Sequence, residues 1–123
     1  MTPAFRGGHN IAMKLPSIEY DNTVAFYRDT LGMDVREHEG YGTVTCSAAV
    51  AFGPITLWLD RVDNYASAGV WLELFTDDVE LATRHLAANG VLPQDELEPM
   101  PSGMNAHWIT NPAMVPHIVR RPD

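Results

Sequence analysis

A helical stretch that ends at Leu31-Gly32-Met33 is answered, 58 residues later, by one that ends at Asn89-Gly90-Val91. Self-similarity at a period near half the chain length is the mark of a duplicated module. A unit of about 60 residues is too small to bury its own sheet face unaided. The repeat therefore demands two sheets with one helix each, and a face on each sheet that the helix does not cover. With 46% hydrophobic and 20% charged residues the chain has the composition of a folded globular protein.

The local patterns fill in the modules. Ile11, Met13 and Leu15 alternate with Asn10, Ala12 and Lys14, the period of a strand with one face on a core, and Pro16 closes it. Asp21 to Leu31 carries Val24, Tyr27 and Leu31 at helical spacing, with Asp21 or Asn22 as cap and Gly32 as the left-handed terminus. Met33 to Glu37, Thr43 to Phe52 and Ile55 to Asp60 read as strands, divided by glycine and by Gly53-Pro54. The second module opens with a strand over Gly69 to Thr76. A capping box at Asp77-Asp78-Val79-Glu80 follows, then a helix with Val79, Ala82 and Leu86 on one face. After an acidic, weakly patterned stretch from Leu92 to Glu98, strands resume over Ala106 to Thr110 and Val115 to Arg120.

The fold expected is α+β: two tandem βαβββ modules, about 8–62 and about 66–121, forming curved half-barrel sheets within a single domain over 1–123. The uncovered sheet faces are the place to look for a ligand cavity. Eight Lys and Arg against 16 Asp and Glu give a net charge of −8, which repels phosphate backbones and anionic lipids. Neither nucleic acid nor membrane is an expected partner. The start of the chain carries no secretion signal, and the lone Cys46 can form neither an internal disulfide nor a zinc cage. A cytoplasmic location follows as the expectation, with Cys46 as a small buried hydrophobe.

Val24-Ala25-Phe26-Tyr27-Arg28-Asp29-Thr30-Leu31-Gly32-Met33 resembles the "aFYrdvLGl" helix and turn of the vicinal oxygen chelate superfamily, which includes glyoxalases, extradiol dioxygenases and bleomycin-resistance proteins. Weaker echoes are His9-Asn10-Ile11-Ala12-Met13-Lys14-Leu15-Pro16, Phe75-Thr76-Asp77-Asp78-Val79, and Asn111-Pro112-Ala113-Met114 in place of "DPdG". The resemblance implies a divalent metal held by histidine and glutamate projecting from four strands. Here the corresponding positions carry other side chains. The first falls on Asn10, or on His9 if the strand slips by one residue. The second and third fall on Trp58 and Trp71, and the last falls on Ile118, with His117 beside it on the other face. An indole cannot ligate a metal.

The expected function is therefore metal-independent binding of a small aromatic or apolar compound, with Trp58 and Trp71 stacking and Glu73, His9 and His107 as polar contacts. No catalytic residue, metal ligand or cofactor is assigned. Glu73, between Leu72 and Leu74, shares a face with Trp71 and Phe75 and needs a partner, a ligand or water. The alternative is a metal-dependent lyase, isomerase or dioxygenase with ligands drawn from His9, Glu73, His107 and His117. A third class is a regulatory subunit with a vestigial cavity. Asp60, Asp63, Asp77, Asp78, His38 and His85 read as loop, capping or surface residues. The resemblance further implies a homodimer, whose modules pair within one chain or by exchange.

Overall fold

The computed structural model describes residues 2–65, 68–112 and 114–123. The expected start of the second module, at about 66, and Ala113 of the Asn111-Pro112 turn lie outside the described residues. Two units divide the chain, His9–Trp71 and a second made of the residues up to Gly8 together with Leu72–Asp123.

In the first unit the alternation of Ile11, Met13 and Leu15 becomes β2 (Asn10–Leu15), after the short β1 (Arg6–Gly7) that belongs to the second unit. β2 runs parallel to β5 (Ile55–Val62), with Asn10 opposite Thr56 and Lys14 opposite Asp60. β4 (Val44–Phe52) pairs antiparallel with β5 and with β3 (Val35–Glu39). The order is thus β3-β4-β5-β2, and Gly69–Trp71, the first residues of β6 (Gly69–Phe75), flank β2 on its other side. Gly53-Pro54 joins β4 to β5 as a two-residue turn, and Gly53 takes the positive φ of 62° that the tight hairpin requires.

Helix α1 (Ser17–Ala25) begins four residues earlier than the spacing predicts. Pro16 sits at the cap with φ −58° and supplies the first carbonyl, which accepts from the Glu19 amide. Tyr20 and Val24, one turn apart, are the residues it buries. Asp21 and Asn22 are exposed in mid-helix and cap nothing. The tail Phe26–Thr30 is a π-helical turn, in which the Leu31 amide donates to Phe26 O. Beneath α1, Leu15, Tyr20, Val24, Ala48, Val50, Leu57 and Leu59 form the core. Leu59 is 0% exposed, a burial worth about 1.5–3 kcal/mol.

In the second unit β1 pairs antiparallel with the end of β6, β6 runs parallel to β8 (Pro116–Arg120), and β8 pairs antiparallel with β7 (Ala106–Thr110). Helix α2 (Val79–Ala88) is capped by Asp78, whose carboxylate accepts from the Leu81 amide at 3.0 Å. Its core joins Ala82, Ile109 and Val119 with Phe5, Leu74, Leu86 and Val91. Where the first repeat has β3, the second has a 3₁₀ turn, Asp95–Leu97. That stretch lacks the alternation a strand needs, and Asp95 bonds instead to β7.

Candidate functional site

In the first unit, side chains of opposite parity to the core share the sheet face that α1 leaves uncovered. Register brings Asn10, Ala12 and Lys14 of β2, Thr56, Trp58 and Asp60 of β5, Ser47 and Ala49 of β4, and Trp71 of β6 onto it. Asn10, not His9, therefore faces this side, and the Trp58 indole N–H donates to Asn10 Oδ1 at 2.8 Å. His9 is exposed, and its carbonyl accepts from the Thr56 amide. The His38 ring lies 5.3 Å from Trp58. A cleft of about 140 Å³ lined by Arg36, Ala49, Ala51 and Thr56 adjoins this position.

The sequence reading missed the group at the centre of the face. Lys14 is 2% exposed, yet its ammonium donates to Asp60 Oδ2 at 2.8 Å and lies 4.6 Å from the centre of the Trp71 ring. Ser47 donates to the other oxygen of Asp60 at 2.6 Å. Asp60 is thus no loop residue: β5 continues through it, and burial of an ammonium demands a hydrogen-bonded counter-charge. The same indole face that offers a ligand platform is engaged by Lys14.

On the corresponding face of the second unit, Glu73 finds its partner in Arg120, whose Nη1 donates to Oε2 at 3.0 Å. Gly8 makes room for it, since a Cβ there would overlap Glu73 Oε1. The Arg120 guanidinium stands 5.5 Å from the Phe75 ring centre and also donates through Nη2 to Asp123. Burial alone would lower the Arg120 pKa, but Asp123 and Glu73 outweigh it and hold the pKa above its ordinary value. Ile118 stands opposite Glu73 on one side and Trp108 on the other. Trp108, also absent from the sequence-based candidates, is buried and donates through its indole N–H to Glu98 O at 2.9 Å. A cleft of about 370 Å³ opens at the Arg120 end, lined by residues 101–105, Arg121 and Asp123.

His107 does not join Glu73. It pairs with Val119 on the α2 side of the sheet, so strand alternation puts it on the opposite face. There its Nδ1 bonds to Asp95 Oδ2 at 2.7 Å, and it lines a small apolar recess with Leu86, Val91 and Ile109. His117 has the same parity, and its Nδ1 donates to Val115 O at 2.9 Å. Among the described residues, no three His, Cys, Asp or Glu side chains are grouped to hold a metal ion. The donor set at the positions that the resemblance implies does not fit one either. Trp58 and Trp71 offer no lone pair in the ring plane, Ile118 has no donor atom, and the ammonium of Lys14 already supplies a positive charge beside Trp71.

Residues 11–116 match the profile of the Glyoxalase/Bleomycin resistance protein/Dioxygenase superfamily. No curated protein matches the chain. Among solved structures, a hypothetical protein from Bacillus halodurans C-125 superposes with a TM-score of 0.68 at 16% identity, over 98% of this chain and 96% of that one. Methylmalonyl-CoA epimerase from Mycobacterium tuberculosis gives 0.65 at 19% identity, over 95% and 88% of the two chains. The Y257F variant of homoprotocatechuate 2,3-dioxygenase from B. fuscum gives 0.63 at 15%, over 98% of this chain but 33% of that one.

The chain belongs to the glyoxalase/bleomycin resistance protein/dioxygenase superfamily and has its α+β fold, as the resemblance implied. None of its helices, among the described residues, is long and apolar enough to cross a membrane.

Proposed function

We propose that this protein binds a small planar aromatic or apolar molecule without a metal, on the uncovered face of the first unit, with Trp58 as the stacking surface. The observation that carries this reading is the pairing of Trp58 with Asn10, which holds the indole plane at the position where the superfamily resemblance would put a carboxylate ligand. Asn10 occupies the first such position, and Lys14 compensates Asp60 rather than leaving it to a cation. The cleft of about 140 Å³ formed by Arg36, Ala49, Ala51 and Thr56, neighbours of Trp58 on the same sheet face, has room for one small ring or branched apolar group, below the roughly 300 Å³ of a drug-sized pocket. Trp71 serves as the wall behind Lys14. The unpaired Cys46 suits a reducing compartment such as the cytoplasm.

Two-dimensional NMR of the indole N–H groups tests this with a library of planar fragments. Binding is expected to shift the Trp58 resonance in a saturable way, and Trp58→Ala should abolish binding, read from the backbone amides of Ala49 and Thr56, while the fold is retained. If no planar compound moves that resonance, or if Trp58→Ala is unstable and nothing more, the indole is core and the reading fails.

A further inference from the structure

The cleft at the Arg120 end of the second unit is built from different residues and has a different chemistry. Arg120 is buried, yet only one of its two carboxylate partners is fixed. Glu73 has a side chain 5% exposed, and it lies in the space that Gly8 leaves open. Asp123, on Nη2, has a side chain 81% exposed. A buried guanidinium clamped from one side by Glu73 and braced by Phe75 is pre-oriented, so little rotamer freedom is lost when a second planar anion meets it. The Asp123 contact places a carboxylate against Nη2, and the Asp123 side chain, 81% exposed, can turn to water when another carboxylate takes its place. Beside this point the cleft of about 370 Å³ is also lined by Arg121, by Ser102 and Asn105 with polar side chains, and by Pro101 and Met104 as apolar residues.

We propose that this cleft is a carboxylate-binding site, in which the carboxylate of a small organic acid displaces Asp123 from Arg120 and its body lies along Pro101 and Met104. Asp123 acts as a tethered occupant that keeps the site neutral until the acid arrives. The ligand carboxylate takes the place that Asp123 Oδ1 holds on Nη2 and repels the Asp123 charge, so ligand binding and the Asp123 contact compete.

Titration with benzoate, and with benzamide as its uncharged isostere, tests the site, read from the Nε–H resonances of Arg120 and Arg121 and the Gly103 amide. These signals are separate from the Trp58 indole, so failure here and failure of the Trp58 reading are distinguishable. Benzoate is expected to move them and benzamide to leave them in place. Asp123→Asn, an exposed substitution that leaves the Glu73 pair intact, should tighten benzoate about two- to fivefold, the factor that matches removal of an exposed competing ion pair. Arg121→Gln should weaken it several-fold. Equal response to benzamide, or an Asp123→Asn affinity that is unchanged or lower, overturns the proposal.

Discussion

Replacing Lys14 by methionine keeps the aliphatic stem against Trp71 but removes the charge opposite Asp60, and the structure sets the size of the effect. Lys14 is 2% exposed and Asp60 7%, so neither group can turn to water when the other is lost. Breaking a buried ion pair from one side costs about 3–5 kcal/mol, because the remaining charge is left uncompensated. Ser47 still donates to Asp60, which places the expected loss near the lower bound, about 3 kcal/mol. For a chain of this size that is a fall in Tm of roughly 12 °C. In the double variant Lys14→Met/Asp60→Asn the orphaned charge is gone, and the amide oxygen introduced opposite Ser47 still accepts its hydroxyl. That protein should return to within about 1 kcal/mol of the parent, so the coupling between the sites is at least about 2 kcal/mol and larger by whatever Asp60→Asn costs alone. Urea unfolding followed by far-ultraviolet circular dichroism measures all four proteins. A single-site loss under about 1 kcal/mol, or additive effects, would mean that water reaches the pair, and the buried-ammonium description of this face would be wrong.

Further expectations follow from individual contacts. Burial pushes the Tyr20 phenol above its ordinary value, and Cys46 beside it adds to the rise. Because the folded form holds the proton more tightly than the unfolded chain, this contribution is present below pH of about 10 and is lost as pH climbs further. Tyr20→Phe should flatten that alkaline decline in stability measured by urea at pH 8 to 11. At pH 7 its effect should be neutral or slightly stabilising, since the buried hydroxyl has no oxygen or nitrogen hydrogen-bond partner among the described residues. Gly8→Ala would drive a Cβ into Glu73 Oε1 and Cγ, so it should dislodge Glu73 from Arg120. A thermal melt should register a loss of about 2 kcal/mol or more, from a strained contact and a disturbed buried pair. Asp78→Ala removes the acceptor for the Leu81 amide and should cost about 1 kcal/mol, with hydrogen exchange accelerated in the first turn of α2 rather than across the unit.

Local signals carried much of the fold. Ile11, Met13 and Leu15 named the buried face of β2, and the same parity put Asn10 with Trp58. Gly32 and Gly90 take the positive φ of 69° and 85° expected where the two repeats leave their helices. Helix α1 was misplaced because Asp21 and Asn22 look like caps, whereas Pro16 and the buried pair Tyr20 and Val24 decide the start. What stayed hidden was cross-strand. Lys14 and Asp60 are 46 positions apart, and only the parallel register of β2 on β5 makes them neighbours. Asp60 ended the expected strand, so it read as a loop residue, yet β5 runs on to Val62 while β4 absorbs a bulge between Val44 and Cys46. Trp108 and Arg120 were recoverable from alternation, since each has the parity opposite to the core residues Ile109 and Val119. His107 misled because proximity to Asn111-Pro112 says nothing about which face a strand residue takes.

Metal content tests most directly whether indole and ammonium groups have replaced a cation-binding centre. Protein prepared without chelator, passed through gel filtration and analysed by plasma mass spectrometry before and after incubation with Mn²⁺, Co²⁺, Ni²⁺ or Zn²⁺, should retain far less than one ion per chain. One equivalent of a divalent ion that survives filtration, and that leaves when Asn10 or Glu73 is replaced by alanine, would contradict this.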